Sequence, residues 1–502
     1  MTQSAWMGLL AILVVCVTVN KASALESCCA DLGCFSSGTP FFHPIHRPVI
    51  SVPKCSIMST FGLHLNTRHW SNVKVTQWMD PYEIPTISSS SFDVNKDTKL
   101  LIHGFTDLYD WPWWTDIVTA LLKEGDYNVI RFDWGKATVM PFEQSIADTR
   151  LAGAYVAKFV NILKYNFGYP PQRIHIISHS LGVHTAGYVG ERVDKIGRIT
   201  ALDPGRYHFE NTEPAVRLDP TDAMVVDSLV TDGENFPAFA LGSLQPMAHL
   251  TVYLNGGSRQ PGCEFGTLFF PWGKQTNYNT TNYNTSAIRR QTEYQNKACS
   301  HWRAYFLFSE TIMRDKCQTV AYECDNYQQF KSGQCFPKNG SSTLVGYHVN
   351  TVLAEPGRLR LFYAANDRNL PFCVKSFSLK FRLQSKNANH NSQPERGVIS
   401  ARLYGLLGSS AQVDVTETVD LHPGSDYKFL FHIPHKELGV VHSMHISWTS
   451  KHNILLPSEN MRKHVLYFDG NFQLTNEDGQ VTNYRPAKQQ LEERRDLLAT
   501  AI

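Results

Sequence analysis

Hydrophobic positions change their period part-way along the chain. Lys99 to Ile102 and Asn128 to Trp134 are short apolar runs that predict strands. Val156, Phe159, Val160 and Leu163 then recur at helical spacing, and Gly168 with Pro170-Pro171 stops that helix. Ile174, Ile176 and Ile177 predict a buried strand. In the helix that follows, Gly182, Ala186 and Gly190 keep one face small enough for close packing. Arg198 to Leu202 predicts a further strand running into Asp203-Pro204. Strands alternating with helices imply a mostly parallel sheet, and such sheets bind ligands beyond the carboxyl ends of their strands. Phe105, Ser180 and Asp203 all fall at such ends.

After about Tyr347 the pattern becomes strict alternation. Phe377, Leu379, Phe381 and Leu383 alternate with polar neighbours, as do Met444, Ile446 and Trp448. Val398–Leu406, Lys428–Ile433 and His464–Phe468 also read as strands, with turn residues between them. A second, all-β domain, an antiparallel sandwich, is expected over residues 361–485. Its boundary with the first domain is soft. Residues 486–502 are expected to be a tail, either a polar helix or without fixed structure.

Composition narrows the compartment. The 47 basic and 45 acidic residues nearly balance, which gives no footprint for nucleic acid. Residues 1–24 read as a signal peptide, with an apolar core from Met7 to Val19 and a small-residue ending Ala22-Ser23-Ala24. No later apolar run reaches membrane length. Of 11 cysteines, Cys16 lies in this leader, which leaves an even set suited to an oxidising compartment. Cys28 and Cys34 are close enough to close a small loop in a Cys-, Pro- and Gly-rich arm. Sequons at Asn279, Asn284 and Asn339 fit secretion. A polar repeat, Thr276 to Thr285, carries two of them.

The chemistry centres on Ser180, in Ser178-His179-Ser180-Leu181-Gly182. This is nearly the G-x-S-x-G turn of α/β-hydrolases, where a strand turns sharply into a helix and lifts the serine hydroxyl clear. A histidine can approach it, and the next backbone N–H can hold an oxyanion. Two departures are Ser178 in place of the first glycine and Val183 in place of a smaller residue. An ordinary buried strand–turn–helix is the bland alternative. Asp203 alone reads as a turn-forming Asp-Pro. Among 20 histidines, His208 and His249 rival His301. His301 is favoured by its place beside Cys299 at the start of an apolar helix.

The mature chain resembles the pancreatic lipase family, which includes the lipoprotein lipases. Leu32–Phe35, Leu101–Phe105, Ser178–His184, Ala201–Pro204, Val216–Ala223, His249–Gly257 and Cys299–Tyr305 carry the resemblance in family order. It implies an α/β-hydrolase domain over residues 25–360 followed by a PLAT-type β-sandwich that associates with lipid. It also implies Ser180 as nucleophile, Asp203 as orienting acid and His301 as general base, with backbone N–H groups of Phe105 and Leu181 as the oxyanion hole. Without the family, Phe105 reads equally as a core aromatic, although Gly104 beside it permits an unusual backbone. Pro214, Arg217, Asp219 and Asp222 resemble the family's calcium loop: two carboxylates, and two main-chain carbonyls at Pro214 and Arg217. The calcium would be structural and distant from the ester. An acidic turn without metal is the alternative.

Cys263 and Cys299 resemble the cysteines that bracket the family's lid, here residues 264–298. The lid contains Phe265, Leu268, Phe269, Phe270 and Trp272. Such a stretch gains by covering the site in water and meeting lipid when open; a surface loop packed on the core is the alternative. Cys324 and Cys335 are expected to form a local bridge, and partners for Cys29, Cys55, Cys317 and Cys373 stay open. The resemblance implies a secreted triacylglycerol hydrolase acting at a lipid–water interface. Phospholipase A1 activity is the enzymatic rival, and a catalytically silent lipid-binding or yolk-like homologue is the rival from another class. Any need for a protein cofactor stays open.

Overall fold

A run of seven parallel strands forms the middle of an 11-stranded sheet. In spatial order they are Arg360–Ala364, Leu250–Leu254, Val225–Val230, Arg198–Leu202, Ile174–His179, Thr98–Ile102 and Asn128–Asp133. Antiparallel strands extend both edges: Gly62–Asn66 and Gln77–Met79 at one, Val320–Glu323 and Ser342–Leu344 at the other. The computed structural model describes residues 24–69, 72–234, 240–263, 298–314, 318–337, 342–385, 394–451 and 464–502.

The apolar runs are continuous because both faces of this sheet are covered. Ile102, Ile130, Phe132, Ile174, Ile176 and Ile199 pack under the helices Phe142–Phe167 and Leu181–Gly190. Their neighbours Leu101, Val129, Ile177 and Leu202 face the helices Pro112–Glu124 and Cys299–Ile312. The Phe142–Phe167 helix ends where its sequence says it must. Gly168 takes φ 66° beyond the last turn, and the Tyr169 N–H returns to the Leu163 carbonyl at 3.0 Å.

The second domain is a ten-stranded antiparallel sheet curled around one core of Leu379, Phe381, Ile399, Leu403, Met444, Ile446 and Trp448, among others: a β-sandwich. The alternation expected in Val374–Arg382, Glu395–Gly405, Asp426–Pro434 and Val441–Ser450 sets which face is buried. Two boundary expectations need correction. Arg360–Ala364 belongs to the hydrolase sheet, paired in parallel with Leu250–Leu254, so the first domain runs past residue 360. The 486–502 segment is neither helix nor loose tail. Asp496–Ala501 inserts between Val441–Ser450 and Val481–Pro486, burying Leu497 and Ala499. Its two inward apolar residues follow the charged run from Glu492 to Asp496, which disguised the alternation. The domains meet where Phe330 stacks near His432 and Lys428 donates to the carbonyls of Gly333 and Phe336.

Disulfides join Cys28–Cys34, Cys263–Cys299 and Cys324–Cys335 as expected, and Cys29–Cys55 in addition. Cys373 is also disulfide-bonded. Residues 1–23, the sequons Asn279, Asn284 and Asn339, and the expected lid from 264 to 297 lie outside the described residues. No described helix is long and apolar enough to cross a membrane.

Candidate active site

Ser180 sits one residue beyond the Ile174–His179 strand and opens the Leu181–Gly190 helix. Its backbone is strained, at φ 55° and ψ −121°, as an exposed-serine turn requires. Small neighbours permit this. A methyl on Gly104 would lie 2.9 Å from Ser180 Cβ, and one on Gly182 would strike the carbonyl oxygens of Ile102 and His103. The Ser178 departure is absorbed in the strand, where its hydroxyl donates to the Thr200 carbonyl at 3.3 Å. Val183 is fully buried in the core.

The structure brings Ser180, His301 and Asp203 into one line. His301 Nδ1 donates to Asp203 Oδ2 at 2.5 Å, which leaves Nε2 to accept from the Ser180 hydroxyl at 2.7 Å. Asp203, with no exposed surface, follows the Arg198–Leu202 strand at φ 46°. Its other oxygen accepts from the backbone N–H of Thr231 (2.7 Å) and Asp232 (3.0 Å). Four charge- and dipole-assisted contacts therefore fix the imidazole between hydroxyl and carboxylate. The rivals lie elsewhere: His249 Nδ1 accepts from Val226 N–H, and the ring of His208 lies against Phe142.

Phe105 and Leu181 flank the serine from two elements. Among the described residues neither backbone N–H has a protein acceptor, so both are available to a ligand oxygen. The half-buried Phe105 ring packs edge-on against Phe142, so the side chain is a core aromatic. Thr106, at φ 58°, ties the turn down through its N–H to Thr138.

Four neighbours were missed from sequence. Asp232 is the third member of a group with Asp203 and His301 whose ligand atoms all lie within 4.8 Å. Burial, and then the Asp203 charge, push its carboxyl up to about 7. The run Val225–Val230 ahead of Thr-Asp-Gly is the signal that would have placed it at a strand end. His179 donates from Nε2 to the His301 carbonyl at 3.2 Å, and its buried ring lies 4.5 Å from those of His301 and Tyr305. Burial holds it well below the usual histidine range. His103 is likewise pushed down, to about 4, and its carbonyl accepts from the Trp134 indole. Asp107 is held by the indole N–H groups of Trp114 (3.0 Å) and Trp113 (3.5 Å).

Asp222 lies against the far end of the serine helix, with Asp219 and Arg217 beside it, and the Pro214 carbonyl accepts the Arg217 N–H at 3.0 Å. Asp219 caps the turn Pro220–Asp222 by accepting from Thr221 N–H, and Asp222 accepts from Asp219 N–H at 2.8 Å. Methyl groups on Gly187 or Gly190 would collide with Leu218 or Asp222, so helix and loop are in direct contact. Burial and the Asp219 charge hold Asp222 well above the usual carboxylate range; burial also lifts nearby Glu191 to about 7. Among the described residues neither aspartate has a cationic partner in an ion pair. Buried like charges with hard oxygen atoms fit a divalent cation.

Residues 25–372 match the family model described as Lipase. Pancreatic lipase-related protein 2 of Myocastor coypus is 35% identical over 430 residues, covering 81% of this chain and 86% of that one. Pancreatic triacylglycerol lipase of Mus musculus is 30% identical over 416 residues, 82% and 84% of the two chains. Inactive pancreatic lipase-related protein 1 of Homo sapiens is 30% identical over 445 residues, 88% and 89%.

Proposed function

The chain belongs to the lipase family, and from that premise we propose that it hydrolyses triacylglycerol esters at a lipid–water interface after secretion. The observation that carries this is the unbroken Ser180–His301–Asp203 line. Ser180 Oγ attacks the ester carbonyl carbon while His301 Nε2 takes its proton. Asp203 stabilises the imidazolium that results. Charge developing on the carbonyl oxygen meets the N–H groups of Phe105 and Leu181; one such donor is worth roughly 3–4 kcal/mol in related sites. His301 returns the proton to the departing alcohol. Water, deprotonated by the same imidazole, then releases the fatty acid from Ser180.

A catalytically silent protein is the reading favoured by the similarity to a relative named inactive. Against it, all three side chains are present and hydrogen-bonded. The test is fatty-acid release from emulsified triolein and from phosphatidylcholine. Wild-type release from triolein is expected to dominate, with Ser180→Ala lowering it about 10⁴-fold or more. Release mainly from phosphatidylcholine would make the protein a phospholipase. Release from neither would leave the silent reading.

The carboxylates of Asp219 and Asp222, with the carbonyls of Pro214 and Arg217, would hold calcium. Bound there, the ion would neutralise the buried carboxylates and brace the helix that begins beside Ser180. Calcium is expected to raise the melting temperature, and a chelator to reverse it. Asp222→Asn should lose that response; an unchanged calcium response in this variant would remove the assignment.

A further inference from the structure

The two-residue loop that joins Glu395–Gly405 to Gly408–Ser409 is Leu406-Leu407. Such hairpin loops are ordinarily built from Asn, Asp and Gly, which accept the turn's backbone and prefer water. Here two leucines stand 73% and 69% exposed. They are not alone. Leu406 N–H donates to the Val440 carbonyl at 3.1 Å, and Leu407 N–H to the Leu438 carbonyl at 2.9 Å. Val440 is 67% exposed, while Leu438 turns inward to the core of the sandwich. Gly439, at φ 64°, lets the loop fold beneath the leucines; a methyl there would lie 3.1 Å from Leu407 Cγ. The fold thus spends a buried anchor and a left-handed glycine on holding three aliphatic side chains together in water.

We propose that this tip, Leu406–Leu407–Val440, inserts into a phospholipid surface of no net charge and gives the sandwich its own lipid contact. The tip is convex and small, whereas a stable protein interface needs about 800 Å² from each partner. An acyl layer has no such requirement, because it closes around whatever apolar surface enters it. The charged residues of the supporting loop are Lys436 and Glu437, both exposed and of opposite sign, so attraction to an anionic headgroup is not what the tip offers. The tip is also tied to the hydrolase domain. His435 N–H donates to the Cys373 carbonyl at 3.2 Å, and Phe372 lies 4.0 Å beneath the Arg303 guanidinium. Arg303 is two residues from His301 and donates to the Pro261 carbonyl. The inference rests on the proposed function only for its choice of lipid.

The experiment measures partition of the full chain onto phosphatidylcholine vesicles by flotation. Leu406→Ser/Leu407→Ser is expected to weaken partition by about tenfold or more, and Leu407→Phe to preserve it. Partition of the wild type should survive 0.5 M salt, as roughly expected of apolar insertion. Turnover of a dissolved short-chain ester and the melting temperature should not change in either variant. Unchanged partition of the double serine variant overturns the proposal. So does binding confined to phosphatidylglycerol vesicles and abolished by salt. A change of oligomeric state with unchanged partition would reassign the tip to a second copy of the chain. Absence of any ester hydrolysis would refute the proposed function and leave the partition result standing.

Discussion

The hydrolase domain and the sandwich manage backbone strain in opposite ways. Among the described residues, nine that are not glycine adopt positive φ, and eight of them lie before residue 256. Three of the eight, Thr106, Ser180 and Asp203, stand just beyond the carboxyl ends of neighbouring parallel strands. The sandwich contributes only Arg494, and otherwise turns at glycines such as Gly408, Gly424, Gly439, Gly470 and Gly479. A sheet covered by helices on both faces over-determines the positions at its strand ends, and can therefore hold unfavourable conformations where chemistry wants them. The sandwich, a curled sheet around one core, relaxes its turns. Chemistry and lipid contact should separate along the same line.

The largest effect expected within the strained domain is on the carboxyl groups around His301. Asp203→Asn keeps the shape but presents an amide to Nδ1, which favours the wrong tautomer; a loss of about 10⁴-fold in kcat is expected. Asp232→Asn changes a carboxyl that burial and the Asp203 charge raise to about 7, while the backbone N–H of the same residue donates to Asp203 Oδ1. That N–H survives, so less than about a tenfold loss is expected by comparison with direct orienting residues. Steady-state hydrolysis of a dissolved ester measures both. Equal losses would mean that the two carboxyls share the orienting role and that Asp203 is not distinguished.

Two glycines sharpen the contrast. In Gly182→Ala the added methyl meets the carbonyl oxygens of Ile102 and His103, beside Ser180. In Gly397→Ala it meets the carbonyl oxygen of Thr449 and the ring of Trp448, inside the sandwich. Each overpacking is expected to cost about 1–3 kcal/mol of stability. Only Gly182→Ala should also depress turnover of a dissolved ester, because it pushes the serine helix away from the Thr98–Ile102 strand and the His103 that follows it. Melting curves and ester turnover on both variants give the comparison. Loss of turnover in Gly397→Ala would show that the sandwich shapes the site after all.

The sequence made the hydrolase domain legible because its signals are local and redundant. Ile174–Ile177, the serine turn and the small face of the next helix all report one strand–turn–helix. The line of three side chains was legible only through resemblance: composition left His208 and His249 as rivals, and pairing across 121 residues is set by topology. Asp232 was missed because its strand, Val225–Val230, carries Asp227 and Ser228 in a buried run. Asp227 is satisfied by partners invisible in sequence, the donors of Arg198 and Thr200. The last strand of the sandwich was missed for the opposite reason. Asp496–Ala501 buries only Leu497 and Ala499, too little alternation to stand out from a charged stretch.

The smallest expected effect concerns a buried acid that each domain treats differently. In the sandwich Glu395 is buried against His464 Nδ1 at 2.7 Å, a partner able to carry positive charge. In the hydrolase domain the donors that Asp107 meets among the described residues are neutral: two indoles and the backbone of Leu108 and Gly104. Burial therefore dominates, and raises its carboxyl from 3.8 to about 7. The direction of the stability effect follows from linkage. Above about pH 4 the unfolded chain releases this proton, while the folded chain keeps it until about pH 7. The folded state binds more protons across that window, so the stabilisation is complete at low pH and is lost as pH rises through it. Asp107→Asn has no proton to lose. Its stability relative to wild type should therefore improve between pH 4.5 and pH 8, by on the order of 1 kcal/mol. Urea unfolding of both proteins at the two pH values measures this difference directly. Parallel curves would mean that Asp107 is ionised in the folded state, with the Trp113, Trp114 and Leu108 donors sufficient to hold its charge.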